Sequence, residues 1–280
     1  MGEQIAQHVV GTPGAWLRPF VDRYVGYRYE GFAPGMHAGL PSRHLTLIVS
    51  LADPIDVGRI QDPRSRERFP ALAAGLHTVP TAIHHDGNQH GVQLAVTPRG
   101  ARALFGMPPA EIATLTLPLG AVLGPLAGEL VERLRAVDGW SQRFAVLDGV
   151  LSRTLTDVDG PPPEVMFAWE RLTRTGGAIE VGDLATEVGW SRRHLSERFR
   201  RELGLTPKTT ARVIRFERAR RMLAHAGRPS LGAVAAAVGY ADQAHMNRDW
   251  RELAGASPGA WLAAEQLPLS EDDGSAVRLR

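Results

Sequence analysis

No cysteine occurs among the 280 residues of the chain, which excludes disulfides and Cys-based zinc or iron–sulfur sites and fits a reducing cytoplasm. Long apolar runs are missing as well. None approaches the ~18 uninterrupted residues that suggest a membrane-spanning helix. Met1 to Leu17 has neither the early basic run nor the apolar stretch of a secretory signal. A soluble, cytoplasmic protein with no membrane partner is the expectation. Lysine is represented only by Lys208, so arginine carries nearly all the positive charge. That bias reads as GC-rich codon usage before any functional preference. A nucleophile elbow, a phosphate loop and a dinucleotide fingerprint are also absent. No cofactor and no catalytic residue is therefore expected. A chain of this length has room for about two domains, each with its own core.

What is present is a duplication. Asp183 to Pro207 (DLATEVGWSRRHLSERFRRELGLTP) and Ala233 to Pro258 (AVAAAVGYADQAHMNRDWRELAGASP) are versions of one another. Each reads as a short Ala-rich helix, a Gly-aromatic turn, a longer polar helix and a Thr/Ser-Pro stop, which is a helix-turn-helix pattern written twice. Leu184 matches Val234 and Gly189 matches Gly239 at an offset of 50, whereas Leu195 matches Met246 and Phe199 matches Trp250 at 51. One extra residue therefore sits in the second turn. Asp183 is expected to cap the first short helix and Ser191 the helix after it. Between the copies, Thr209 to Ala226 carries an apolar stripe of Val213, Phe216, Ala219 and Leu223 and predicts one connecting helix.

The charge is uneven. From Glu180 to Arg228 twelve basic residues stand against six acidic ones, an electrostatic footprint for a polyanion. From Pro229 to Glu265 two basic residues stand against four acidic ones, so the second copy reads as the less basic. In each long helix the inward positions are apolar (Leu195 and Phe199; Met246 and Trp250), which turns polar side chains outward. A major groove about 12 Å wide admits one such helix, with its N-terminal side chains meeting base edges. Arg212, Arg215, Arg218, Arg220 and Arg221 on the connecting helix either touch phosphate or pair with neighbouring acids.

These residues carry a resemblance. Roughly Glu164 to Trp261 resembles the AraC/XylS-type transcription regulators, most specifically through GYADQAHMNRDWRELAGASPGAWL, anchored by Gly239, Tyr240, Gln243, Arg248, Trp250, Gly255 and Pro258. The resemblance implies double-stranded DNA as partner, with base contacts from Arg193, Ser196, Glu197, Gln243, His245, Asn247 and Arg248. Phosphate contacts fall to Ser191, Arg192, Arg200 and Lys208. Glu197 departs from the pattern, standing where a basic or amide residue is frequent, and Asp249 adds an acid beside Trp250.

The first ~155 residues mix apolar alternation with Gly and Pro punctuation. Strands are expected at Val25 to Tyr29, His44 to Leu51, Leu72 to Val79 and Val92 to Val96. Helices are expected after Thr97-Pro98, from Leu119 to Val137 and from Ser141 to Leu155. Gly91 to Gly124 resembles a sensor-type, β-rich, cupin-like module that precedes such DNA-binding units. The resulting fold class is α+β: an N-terminal β-rich domain with helices (1–156), a Pro-rich linker (157–163), an all-α domain of two helix-turn-helix units joined by a long helix (164–267) and a disordered tail (268–280). The N-terminal domain would bind a small-molecule effector or form a homodimer, and an activator would also meet RNA polymerase. His84, His85 and His90, with Asp86 nearby and His77 upstream, are either residues of a turn between strands or metal ligands. The second reading would make the N-terminal half a metal-dependent cupin-like enzyme fused to a DNA-binding module. A repair activity dependent on reactive cysteine is excluded by composition.

Overall fold

The computed structural model describes residues 4–155, 160–224, 227–264 and 277–279. The linker expected at 157–163 falls partly outside them, as does most of the tail. Of that tail, Val277–Leu279 lies as a strand, β11, parallel to β1 (Ile5–Gly11).

Strand follows strand through the first part of the chain: β2 (Val21–Glu30), β3 (Gly35–Gly39), β4 (Leu45–Ser50), β5 (Ile55–Arg59), β6 (Asp62–Phe69), β7 (Ala71–Ala74), β8 (Thr81–His85), β9 (Gln89–Val96) and β10 (Thr116–Pro118). They form two sheets, ordered β10-β7-β4-β9-β2-β1-β11 and β3-β8-β5-β6. Period-two alternation assigns the faces of the larger sheet. Tyr24 on β2, Leu45, Leu47 and Val49 on β4, and Val92, Leu94 and Val96 on β9 are buried in one apolar cluster with the helices that follow. Their alternate neighbours, among them Val25, Tyr27, Thr46, Ile48 and Gln93, face the smaller sheet and line a cavity between the two.

Helices α1 (Pro98–Phe105), α2 (Gly120–Leu123), α3 (Leu126–Arg135) and α4 (Trp140–Leu151) cover the apolar face. The single helix expected over Leu119 to Val137 is two, because Pro125 follows Gly124 and the chain leaves the helix there. Leu72 to Val79 is a strand only as far as Ala74; beyond it Gly75 packs against the backbone of Ile112, where no Cβ would fit. The histidine-bearing loop is not a hairpin. It joins β8 in the smaller sheet to β9 in the larger one, so these strands are not paired to each other. Among the described residues no group of three or more His, Cys, Asp or Glu side chains is arranged to hold a metal ion. The metal-dependent enzyme reading finds no support there.

The remaining chain is helical: α5 (Pro163–Arg174), α6 (Val181–Glu187), α7 (Arg192–Leu203), α8 (Pro207–Ala224), α9 (Leu231–Ala237), α10 (Gln243–Ala254) and α11 (Pro258–Ala264). Apolar residues of α5, α6 and α7 join the cluster that fills the N-terminal half, together with Ala211 and Ile214 of α8. A separate cluster holds α9, α10 and Trp261 against Val213, Phe216, Ala219 and Leu223 of the same helix. The long helix is thus buried on two sides, one for each unit.

Candidate nucleic-acid interface

The duplicated pattern folds into duplicated geometry. Helices α6 and α9 start 50 residues apart, and α7 and α10 start 51 apart, so the extra residue lies in the second turn as the sequence spacing predicts. Gly189 and Gly239 occupy the same place in the two turns with φ of 71° and 85°, a left-handed conformation that glycine adopts without the Cβ penalty. In each unit a histidine one turn into the long helix packs edge-on against the turn aromatic: His194 on Trp190 with centroids 4.6 Å apart, His245 on Tyr240 at 5.1 Å. Side-chain caps start both long helices. Ser191 Oγ accepts from the His194 amide at 3.1 Å, and Asp242 Oδ1 from the His245 amide at 2.6 Å. Asp183 does not cap α6: the capping position is Glu180, without a side-chain bond, and Asp183 lies in the first turn, where its charge favours the helix N-terminus.

Leu195 and Phe199 are fully buried in α7, and Met246 and Trp250 in α10, which presents the polar faces outward. On α7, Arg193 is 88% exposed and its Nε donates to Glu197 Oε1 at 2.9 Å, so the acid that departs from the family pattern holds the arginine beside it. Ser196 is half-buried between them in register, and Arg192 and Arg200 are exposed. The Arg192 guanidinium lies over Gly182 of α6, where any side chain would displace it. Lys208 is exposed in the first turn of α8. On α10, Gln243 and Arg248 are exposed, while His245 and Asn247 are half-buried. Asn247 Oδ1 is buried without a hydrogen-bond partner.

Most of the α8 arginines are used internally. Arg212 Nε donates to Asp249 Oδ1 at 2.9 Å and its Nη2 binds Glu252, so two acids of α10 are tied to the connecting helix. Asp249 is buried. It therefore presents no charge on the outward face, and the acidic balance counted for the second copy overstates the repulsion a polyanion would meet. Arg215 donates to the Gly177 carbonyl at 2.9 Å and stacks over Tyr240 at 5.4 Å; Arg218 reaches the Gly176 carbonyl. Among the exposed cations are Arg192 and Arg193 at the start of α7, Arg200 and Arg201 in its last turn, Lys208 in the first turn of α8, and Arg248 and Arg251 on α10.

The N-terminal half grips this region at several points. Glu202 near the end of α7 accepts a two-pronged bond from Arg102 of α1 at 2.6 and 2.7 Å. Gly204 just beyond it packs on Ala113, and Gly255 after α10 faces Pro80 and Ile60. On α8, Glu217 accepts from Ser42 Oγ at 2.8 Å, the Arg43 amide at 3.0 Å and Arg43 Nη1 at 2.9 Å. Burial raises the Glu217 carboxyl pKa, but the charge of Arg43, then that of His44, and these hydrogen bonds outweigh it and hold the group below the ordinary carboxylate value. Neither partner was legible from sequence. The one signal was an acid directly after Phe216 of the apolar stripe.

Residues 184–264 match the family model described as a helix-turn-helix domain. The chain is 32% identical over 93 residues to an uncharacterized HTH-type transcriptional regulator of Bacillus subtilis, YbfI, a match covering 33% of each protein. It is 33% identical over 116 residues to the HTH-type transcriptional regulator Rv1931c of Mycobacterium tuberculosis, covering 41% of this chain and 42% of that one. The similarity thus spans about a third to two-fifths of these relatives' length. Among solved structures, an apo ToxT of Vibrio cholerae superposes with a TM-score of 0.52 at 12% identity, covering 86% of this chain and 97% of ToxT. Unsaturated fatty acid-bound ToxT gives 0.51 at 11% identity, covering 94% and 97%. That likeness shows the fold, β-rich half included. Residues 184–264 are therefore a helix-turn-helix domain, set behind an N-terminal β-rich half in a two-domain fold similar to that of ToxT.

Proposed function

We propose that the chain is a sequence-specific regulator of transcription that binds double-stranded DNA through both helix-turn-helix units at once. The observation that carries this reading is the paired geometry. Two recognition helices, each with a side-chain cap, a left-handed glycine in the preceding turn and an apolar pair buried four residues apart, are fixed to one continuous helix of 18 residues. At ~1.5 Å per residue that helix spans roughly 27 Å, close to the ~34 Å between successive major grooves on one face of the duplex. Arg193, Ser196 and Glu197 would face bases in one groove, and Gln243, His245, Asn247 and Arg248 in the next. Ser191, Arg192, Arg200 and Lys208 would hold phosphates. A small-molecule effector in the cavity between the sheets, or a homodimer formed through the N-terminal domain, would control binding, and an activator would further engage RNA polymerase. Fatty acid-bound ToxT supports the effector reading by architecture.

Selection of duplexes from a randomised library by the full chain tests the proposal. The expected result is an enriched site with two conserved blocks about one helical turn apart. Recovery of unenriched DNA, or of a single block, would remove the two-groove reading.

A further inference from the structure

The two helix-turn-helix units attach to different sheets. The strand register puts the ends of β3, β5, β7 and β9 and the starts of β4, β6, β8 and β10 at one end of the sandwich: Leu45 pairs with Val96, Thr46 and Thr116 both pair with Ala74, and Gly39, Thr81, Arg59 and Asp62 form one row. Connections at that end reach the helical region. The first unit is held by the chain between β9 and β10, both strands of the larger sheet. There Arg102 of α1 grips Glu202, and Ala113 meets Gly204, the left-handed cap of α7, so closely that a Cβ on Gly204 would stand 2.2 Å from that of Ala113. The second unit meets residues that adjoin strands of the smaller sheet. Leu40, directly after β3, packs on its apolar cluster, while Ile60, directly after β5, and Pro80, directly before β8, face Gly255, the left-handed cap of α10.

One connection touches both attachments. It runs from β7 of the larger sheet to β8 of the smaller, and its start is tied beside Ala113: the Gly75 amide donates to the Leu115 carbonyl at 3.0 Å and the Thr114 amide to the Leu76 carbonyl at 2.9 Å. Thr114 has φ of 64°, the one positive value at a non-glycine among the described residues, a strained backbone that these bonds hold in place. The end of the connection is Pro80, at the second attachment. His77 stands between the two: its Nδ1 donates to the Gly75 carbonyl at 3.0 Å, and its ring also meets the backbone of Gly39, the last residue of β3. The side chain thus stitches one sheet to the other where the helices attach.

We infer that the N-terminal half sets the distance between the two recognition helices, and with it the spacing of the DNA blocks they read, with His77 as the positioning residue that fixes one sheet against the other. Helix α8 joins the units along separate stripes, Ala211 and Ile214 for the first and Val213, Phe216, Ala219 and Leu223 for the second. The sandwich adds a second constraint, at the C-terminal caps. One base pair more or less between the blocks turns one against the other by roughly 35°, so the setting of the sheets selects among sites that carry the same blocks. The DNA part of the inference rests on the regulator reading; the distance between the helices does not.

The chain has no cysteine, so Arg201→Cys and Arg251→Cys, exposed in the last turns of α7 and α10, place two spin labels for pulsed electron resonance on the full chain. One narrow distance is expected. Ala113→Leu, which has no room against Gly204, should shift its mean by roughly 1–3 Å, the movement that restores a carbon–carbon contact distance. His77→Ala should broaden the distribution, and so should Leu40→Ala, a milder change at the half-buried edge of the second cluster. Thermal melting of each variant verifies that it folds. Among duplexes that keep both enriched blocks and differ by single base pairs in the spacer, the unaltered chain should favour one spacing by about tenfold, the cost of one mismatched base pair. Ala113→Leu should move that preference and His77→Ala should flatten it, with the block sequences unchanged. A distance that stays narrow and in place in the folded variants would show that α8 alone sets the spacing and would overturn the inference, as would affinity lost equally at every spacing. Enrichment of no paired blocks overturns the regulator reading alone, because the label distances are read without DNA.

Discussion

Glu197 and Arg193 show how one side chain sets the behaviour of its neighbour. They are four residues apart on the exposed face of α7 and ion-paired at 2.9 Å. An exposed pair of this kind contributes only about 0.3–0.5 kcal/mol to the fold, so its weight falls on DNA. Glu197→Gln removes a negative charge from the face proposed to meet DNA and releases Arg193. Binding to all duplexes should then strengthen, and the slope of log affinity against log salt should steepen by roughly 0.9, one more cation displacing counterions. Unchanged affinity and slope, measured by salt-titrated competition, would mean that this face does not meet DNA. Arg248 is exposed on α10, and among the described residues no acid is paired with it. Arg248→Ala should cost roughly 1–3 kcal/mol at one base pair of the enriched site and little on unrelated DNA. A loss equal on all sequences would reassign Arg248 to phosphate.

At the scale of elements, α8 is the part on which the others depend, and its attachment to the α5–α6 turn is the tightest fit along it. Gly177 has φ of 77°, and a Cβ there would stand 2.4 Å from the Ala211 carbonyl oxygen of α8. Gly177→Ala thus combines left-handed strain of about 1–2 kcal/mol with a backbone clash. The expected outcome is a lowered denaturation midpoint, with the DNA block read by the first unit losing definition before that read by the second; equal loss in both blocks would count against α8 as the independent mount of each. The helix-turn-helix units were legible in the sequence because duplication displays the pattern twice, down to the added residue in the second turn. The α8 stripe was legible for Val213, Phe216, Ala219 and Leu223, but not for Ala211 and Ile214, which pack on the other unit. Periodicity shows one buried face well and a second poorly. Strands such as β6, DPRSRERF, carry charges throughout and lack the apolar alternation that reveals a half-buried strand. The cavity was illegible for a different reason. Its lining comes from residues far apart in sequence, His37, His44, His77 and Arg220 among them, and only the pairing order of two sheets brings them together.

Across the whole molecule, the same histidines make stability depend on pH. Burial, followed by the charge of Arg43, lowers the His44 pKa to about 4, and burial with neighbouring His85 lowers that of His37 to about 3. Both titrate near 6.5 in an unfolded chain. Between those limits the unfolded state binds more protons than the folded one, so stability rises with pH; it is fully present above about 6.5 and is lost as pH falls toward 4. Each histidine contributes at most about 1.4 kcal/mol per pH unit within that window. Glu217 and Asp22, both held below their ordinary values, act in the same direction at lower pH, losing their contribution as they protonate. The four groups lie at or beside the contact between the two sheets and α8, so acid should loosen that contact before the apolar clusters on either side of it melt. Melting temperature should fall steadily from pH 7 to pH 5 in the full chain, and His44→Gln should flatten the slope even if it lowers the starting value. A melting temperature that is level or rising over this range would show that the histidines are charged in the folded protein, and would place water or an anion in the cavity at neutral pH.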